Sequence, residues 1–242
     1  ASWNWKAGTT SGITGGTITP SSYSINTTSG FGIYAYAGTG SAGTIAHGLG
    51  VVPKMIMVKK TSGSESWGVY HNAMGNTKFV QLNTTGAEST SSAFWNDTTP
   101  TSTVFSLGTE NGVNQSGQTY IAYVFADVKG YSKFGAFKGN GNADGPFVYT
   151  GFRPAYVLVK VLNYTAAWNM FDNKRIGFNP TNRVFTPNTT GVDYAAWMSD
   201  IFSNGFKPRS TDPAINGTYN YCYSAFAESP FANASGVPNN AR

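Results

Sequence analysis

The sequence predicts an all-β protein made of two tandem, homologous β-sandwich units of jelly-roll-like type. The first observation behind this is a repeat. Residues 38–71 recur at a shift of 101 positions, placing Gly38 on Gly139, Gly50 on Gly151, Pro53 on Pro154, Lys59 on Lys160 and Trp67 on Trp168. A match of fixed period and this length marks a duplicated structural unit. The second is patterning: short runs of Val, Ile, Tyr, Phe and Thr alternate with Gly, Ser and Asn clusters, and no helical period is sustained. Strands joined by tight turns read this way. The third is composition. Only 11% of the 242 residues are charged while 15% are aromatic, which excludes a disordered chain and a coiled coil.

Residues 1–30 are expected to hold an N-terminal strand and a Gly/Thr/Ser-rich linker. Trp3 and Trp5 alternate with polar residues up to Gly8, and a short strand is expected at 17–19 before Pro20. The opening SWNWKAG is similar to the strands that close the later units, so it is expected to complete a preceding domain of a longer polypeptide. The first sandwich unit is expected over 31–130. Its strands are predicted at 31–36, 55–58, 67–70, 78–82, 104–107 and 120–128, with the glycine cluster 38–43 as a turn. The run 55–58 is apolar on both faces, as a covered central strand should be.

The second unit is expected over 131–231. Strands are predicted at 134–137, 147–149, 156–162, 168–171, 183–186, 201–202 and 219–227. Between the anchors the shift drifts, so that Phe105 aligns with Phe202 and Trp95 with Trp197, and it returns to 101 at the closing strand. Insertions thus fall between strands, where loops absorb them. Residues 232–242 read as a tail without apolar pattern.

The net charge of +5 is dispersed, with no basic block longer than Lys59-Lys60, unlike the clustered footprint of a nucleic-acid binder. No apolar run approaches the ~20 residues of a membrane helix, so no membrane insertion is expected. Cys222 is the one cysteine, which excludes an internal disulfide, and its apolar setting makes it a small buried hydrophobe.

Several motifs invite chemistry. Residues 38–43 match G-x-G-x-x-G, but a second strand follows where a dinucleotide site needs a helix; they read as turn punctuation. Asn140, Asn142 and Asp144 resemble the start of a calcium loop, yet Gly151 stands where the bidentate glutamate belongs, leaving a weak calcium candidate. His47 and His71, the only histidines, are too few for a zinc site with a lone cysteine. Asp127 and Glu228 occupy equivalent strand ends and read as structural. No nucleophile or carboxylate-pair motif is present, so neither an enzyme nor a cofactor is expected. Trp67 and Trp168 read as core, and Lys59 and Lys160 as solvated strand ends. Trp95, with Asn96, and Trp197 lie in polar stretches, where an indole beside amides is a candidate sugar platform; folding back over the sandwich end is the other reading.

The combination of HGLGVVPKMIMVKK, the long run from ENGVNQSGQTYIAYVF to YVLVK, SNGFKPR and AFAESPF resembles a repeat domain of unknown biochemical function found in tail-fibre-like and other virion proteins of marine tailed bacteriophages, including cyanophages. The resemblance implies a virion structural protein displayed on the particle surface. From it follow the expected partners: other virion proteins and host-surface polysaccharide or lipopolysaccharide. A homo-oligomer is expected, with a trimer favoured. The appendage role that binds host glycans leads; a capsid decoration or head-fibre protein is the alternative, and a polysaccharide depolymerase comes behind both. The family supplies no catalytic or binding residues to carry over.

Overall fold

The computed structural model describes residues 4–176 and 178–229, except for the side chains of Trp197 and Met198. The protein is all-β: antiparallel sheets account for nearly all regular structure, with two helices of a single turn. The described chain divides into two compact units, one of residues 4–82 and 88–127, the other of 83–87 and 128–229.

The first unit runs β1 (Ser22–Asn26), β2 (Phe31–Ala37), β3 (Gly43–Ala46), β4 (Met55–Lys60), β5 (Gly68–His71), β6 (Lys78–Gln81), β7 (Ser89–Thr90), α1 (Ser92–Trp95), β8 (Val104–Leu107), α2 (Asn111–Asn114) and β9 (Thr119–Phe125). One sheet has the order β1-β2-β9-β4-β5-β6-β7, and β3 pairs with β8 in another. Alternating strand residues decide which face is buried. Tyr34, Tyr36, Ile56, Val58, Tyr120 and Val124 from the large sheet meet Ile45, Phe105 and Leu107 from the β3–β8 pair in one core. The turn α1 starts where the Ser91 side chain caps Ala93 N–H and stops at Asn96, whose φ of 52° is left-handed.

The second unit runs β10 (Ser132–Lys138), β11 (Val148–Tyr149), β12 (Pro154–Val161), β13 (Asn169–Asp172), β14 (Thr181–Val184), β15 (Tyr194–Phe202), β16 (Gly205–Pro208) and β17 (Asn220–Ala227). Its sheets have the orders β10-β17-β12-β13 and β11-β16-β15-β14. Val157, Val159, Tyr221 and Tyr223 of the first meet Val148 and Phe206 of the second in a core.

The order β2-β9-β4-β5 in the first unit is the order β10-β17-β12-β13 in the second, and the registers match residue for residue. Phe31 faces Phe125 and Tyr36 faces Tyr120; Ser132 faces Phe226 and Phe137 faces Tyr221. Met55 faces Phe125 and His71; Tyr156 faces Phe226 and Asp172.

Four sequence expectations need correction. The first β-strand is Ser22–Asn26 rather than 17–19; Thr17 and Ile18 instead donate their N–H groups to Thr44 O. Residues 4–8 do not form a strand, although Trp5 rests on Phe31 and Phe125. Phe206, on β16, the partner of the strand that follows the glycine turn, takes the buried place that Phe105 holds on β8; Phe202 lies on β15. Lys160 is no solvated strand end, since it is fully buried and its Nζ donates to Ala166 O at 2.7 Å and Thr85 O at 3.1 Å. Burial pushes the Lys160 amine down to about 8, and two carbonyl acceptors match the two N–H groups of a neutral amine.

Candidate functional site

Each unit anchors its glycine turn on one buried asparagine. In the first, the fully buried Asn114 donates to Ser41 O and Gly108 O, both at 2.7 Å, and accepts from Thr39 N at 2.8 Å, while its carbonyl accepts from Gly40 N. In the second, the fully buried Asn216 donates to Asn142 O at 2.7 Å and Ser210 O at 2.9 Å, accepts from Asn140 N, and its carbonyl accepts from Gly141 N. A tyrosine hydroxyl braces each asparagine: Tyr120 bridges Asn111 O and Gln115 N, and Tyr221 bridges Pro213 O and Gly217 N. Glycine is required for the close approach, because a Cβ on Gly38 would lie 2.3 Å from Gln115 O and one on Gly139 2.0 Å from Gly217 O. The Thr39 and Gly40 N–H groups are spent on Asn114, that of Gly38 on Gln118 O and that of Ser41 on Thr39 Oγ1, and a strand follows the turn, which removes the dinucleotide reading.

What differs between the units is what the anchored turn leads into. In the second unit it leads to Phe147 and β11, at the edge of its sheet. Tyr149 and Phe202 both pair with Gly205, so the three occupy one row across β11, β16 and β15. A Cβ on Gly205 would meet Phe147 Cζ at 2.8 Å and Val148 O at 2.2 Å; the bare glycine lets the Phe147 ring lie across β16. That ring meets Phe202 edge-on at 5.8 Å. Val148, Phe206 and Ile201 alternate inward and are buried, while Phe147 is 47% and Tyr149 64% exposed. The result is an aromatic shelf on the outer face. The matching strand in the first unit, β3, carries the half-buried Thr44 and the buried Ala46 at the corresponding places, and its edge is closed by Thr17 and Ile18.

Beside the shelf lies a compact ion network. Asp200 faces Lys207 across β15 and β16. Arg209 Nε donates to Asp200 at 2.6 Å and its Nη1 to Asp144, whose carboxylate also holds Lys207 Nζ at 2.6 Å. The hydrogen bond from Lys207, more than any other cause, holds the Asp144 carboxyl below the ordinary aspartate value. Two acids and two bases balance to zero charge.

The residues singled out from sequence fall as follows. Trp95 is 1% exposed, edge-on to Tyr70 at 5.9 Å and tilted against Phe94. With its faces covered by the core it cannot be a sugar platform, and that expectation is corrected. Asn96 is exposed but serves as the left-handed stop of α1. The backbone of Trp197 belongs to β15, not to a loop, and its side chain lies outside what is described. Trp95 and Asn96 thus belong to the first unit and the backbone of Trp197 to the second. The calcium candidate is a string of side-chain turns: Asn140 accepts from Asn142 N, Asn142 from Asp144 N, and Asp144 faces two cations. A metal there would have to displace Lys207 and Arg209. Among the described residues no three His, Cys, Asp or Glu side chains gather as metal ligands, and no helix is long and apolar enough to cross a membrane. His47 and His71 are buried; His47 accepts from Leu49 N and contacts Thr101 O. Glu228 pairs with Arg153 and Lys174. Trp168 is buried, while Trp67 is half-buried and stacked on Tyr123.

The shelf was missed because its parts, Phe147, Tyr149, Phe202 and Gly205, are scattered in sequence. The one signal in the sequence is that, at the shift of 101, Phe147 stands where the first unit has Ala46 and Tyr149 where it has Gly48. No curated protein and no solved structure matches the chain. A family model described as a domain of unknown function, DUF7483, matches residues 1–230, and with nearly its whole length so covered, the chain belongs to the DUF7483 family.

Proposed function

We propose that this protein is a non-enzymatic structural protein of a bacteriophage virion, part of a tail fibre or similar surface appendage, that binds host-surface glycans. Its architecture in this reading is a tandem duplication of one β-sandwich, supported by the shared strand order and the register repeated at a shift of 101. The virion assignment rests on the sequence resemblance. The binding role rests on a single observation, the exposed Phe147–Tyr149–Phe202 shelf beside the Asp144–Lys207–Arg209–Asp200 network.

An exposed apolar patch rimmed by polar groups is the mark of a binding surface. A pyranose has C–H faces that cover an aromatic ring and hydroxyl edges that hydrogen-bond to carboxylates and guanidinium groups. A protein partner covering the same area would have to bury the ion network, which costs several kcal/mol for each desolvated charge. The network favours binding over cleavage: a glycosidase acid needs a raised pKa, whereas Lys207 keeps Asp144 low. Modest affinity per site would be multiplied in a homo-oligomer.

The test is a bacterial-glycan array probed with the wild type, Tyr149→Ala and Phe147→Ala. Retention of a glycan by the wild type and at least a tenfold loss in both variants is the expected result. No glycan retained, or release of reducing ends from the retained one, would overturn this reading. Locating the chain in a virion reconstruction separates a tail appendage from a capsid decoration.

A further inference from the structure

Resting on that glycan-binding reading, we infer that the site is elongated and takes a linear oligosaccharide, with a second aromatic subsite at the stacked pair Tyr164–Tyr219. These rings lie 4.6 Å apart at 23°, and Tyr164 is 40% exposed. The corresponding place in the first unit has Gly63 and Gln118, with Ser62 donating to Gln118, so the ring pair belongs to the second unit alone, as the shelf does.

One short segment joins the two aromatic groups. Gly139 N donates to Tyr219 O at 3.0 Å, Gly141 packs against Thr218, and Gly145 N donates to Pro208 O at 3.1 Å before the chain enters Phe147. Even fully extended, residues 139–146 span at most about 25 Å, so the Tyr pair and the shelf lie within reach of one oligosaccharide of a few rings. Between them lie the Asn140 and Asn142 amides and the Asp144 carboxylate, all exposed, fixed from below by Asn216. Aromatic, amide, carboxylate and aromatic groups follow one another along this strip, which suits alternating C–H faces and hydroxyl edges along a sugar chain. Lys207 and Arg209 are both engaged by Asp144 and Asp200, and the exposed Lys138, opposite Asn220 on β17, stands at the Tyr219 end of the strip.

The experiment uses the glycan retained on the array, cut to lengths of one to six rings, with calorimetry on the full chain. Affinity should rise at least tenfold from one ring to the longest fragment. Tyr164→Ala should flatten that rise while leaving binding of the shortest fragment unchanged, and Tyr149→Ala should abolish binding at every length. Equal affinity at all lengths, or a Tyr164→Ala variant indistinguishable from wild type, overturns the inference while the glycan-binding reading survives. An array that retains no glycan sinks the parent reading and this one together.

Discussion

Two side chains show how burial, rather than residue type, decides a role. Trp95 has the composition of a ligand platform in sequence and the position of a core anchor in the fold, sealed by Tyr70 and Phe94. Trp95→Ala should destabilise the first unit by about 3–5 kcal/mol, read by denaturant unfolding, with glycan binding by the folded fraction unchanged. Trp95→Phe should cost less than half as much, because the indole N–H meets no acceptor among the described residues and its loss strands no partner. Lys160 gives a pH signature. Its folded-state value lies near 8, below the ~10.4 of an unfolded lysine. Below about pH 8 both states hold the proton and stability is flat with respect to this group. Above it the folded state has released the proton while the unfolded chain still binds it, so stability rises with pH until buried tyrosines oppose the trend near 10. From pH 7.5 to 9.5 the wild type should gain about 2 kcal/mol relative to Lys160→Met, measured by urea melts of both proteins; parallel pH profiles would show the amine to be ordinarily charged.

At the scale of elements, the asparagine-anchored turn is the common part and the edge strand is the variable one. Asn114 and Asn216 each hold a glycine turn with matching hydrogen bonds. Replacing either by Ala leaves three backbone groups without their side-chain partner, a loss of about 2–4 kcal/mol from its unit. The two variants should part in function. Asn216→Ala frees the loop that carries Asp144 and should weaken glycan binding at least fivefold at a temperature where the protein stays folded; Asn114→Ala should leave it untouched. Calorimetry alongside thermal melts checks both. Strand positions were legible in the sequence because alternation and apolar runs are local, and the central run Met55–Lys60 came out almost as read. Short pairings fixed by distant partners were not legible. β3 hid inside a glycine-rich turn, and β1 lay five residues from the expected strand because Thr17 and Ile18 bond sideways to Thr44. The shelf was illegible for the same reason: Gly205 looks like turn punctuation until its pairing with both Tyr149 and Phe202 is known.

Across the whole molecule, what the two units share differs from what only one of them carries. Conserved between the halves are the four-strand order, its register and the turn anchor; particular to the second half are the aromatic shelf, the ion network and the Tyr pair. On the proposed function, such a division leaves one glycan strip per chain, and because a shallow, solvent-facing strip cannot bury most of a sugar as an enclosed pocket does, attachment to a cell would draw on number. In a homo-oligomer on a particle, a second engagement becomes intramolecular, and the gain can reach about 10²–10⁴ over a single site. The full chain in its native oligomeric state, sized by sedimentation, should therefore bind a densely glycan-coated surface at least a hundredfold more tightly than the same oligosaccharide free in solution. Diluting the surface glycan until neighbouring sites cannot be bridged should return the affinity to the solution value. A protein that sediments as a monomer and binds dense and sparse surfaces equally would show that attachment does not rest on multivalency.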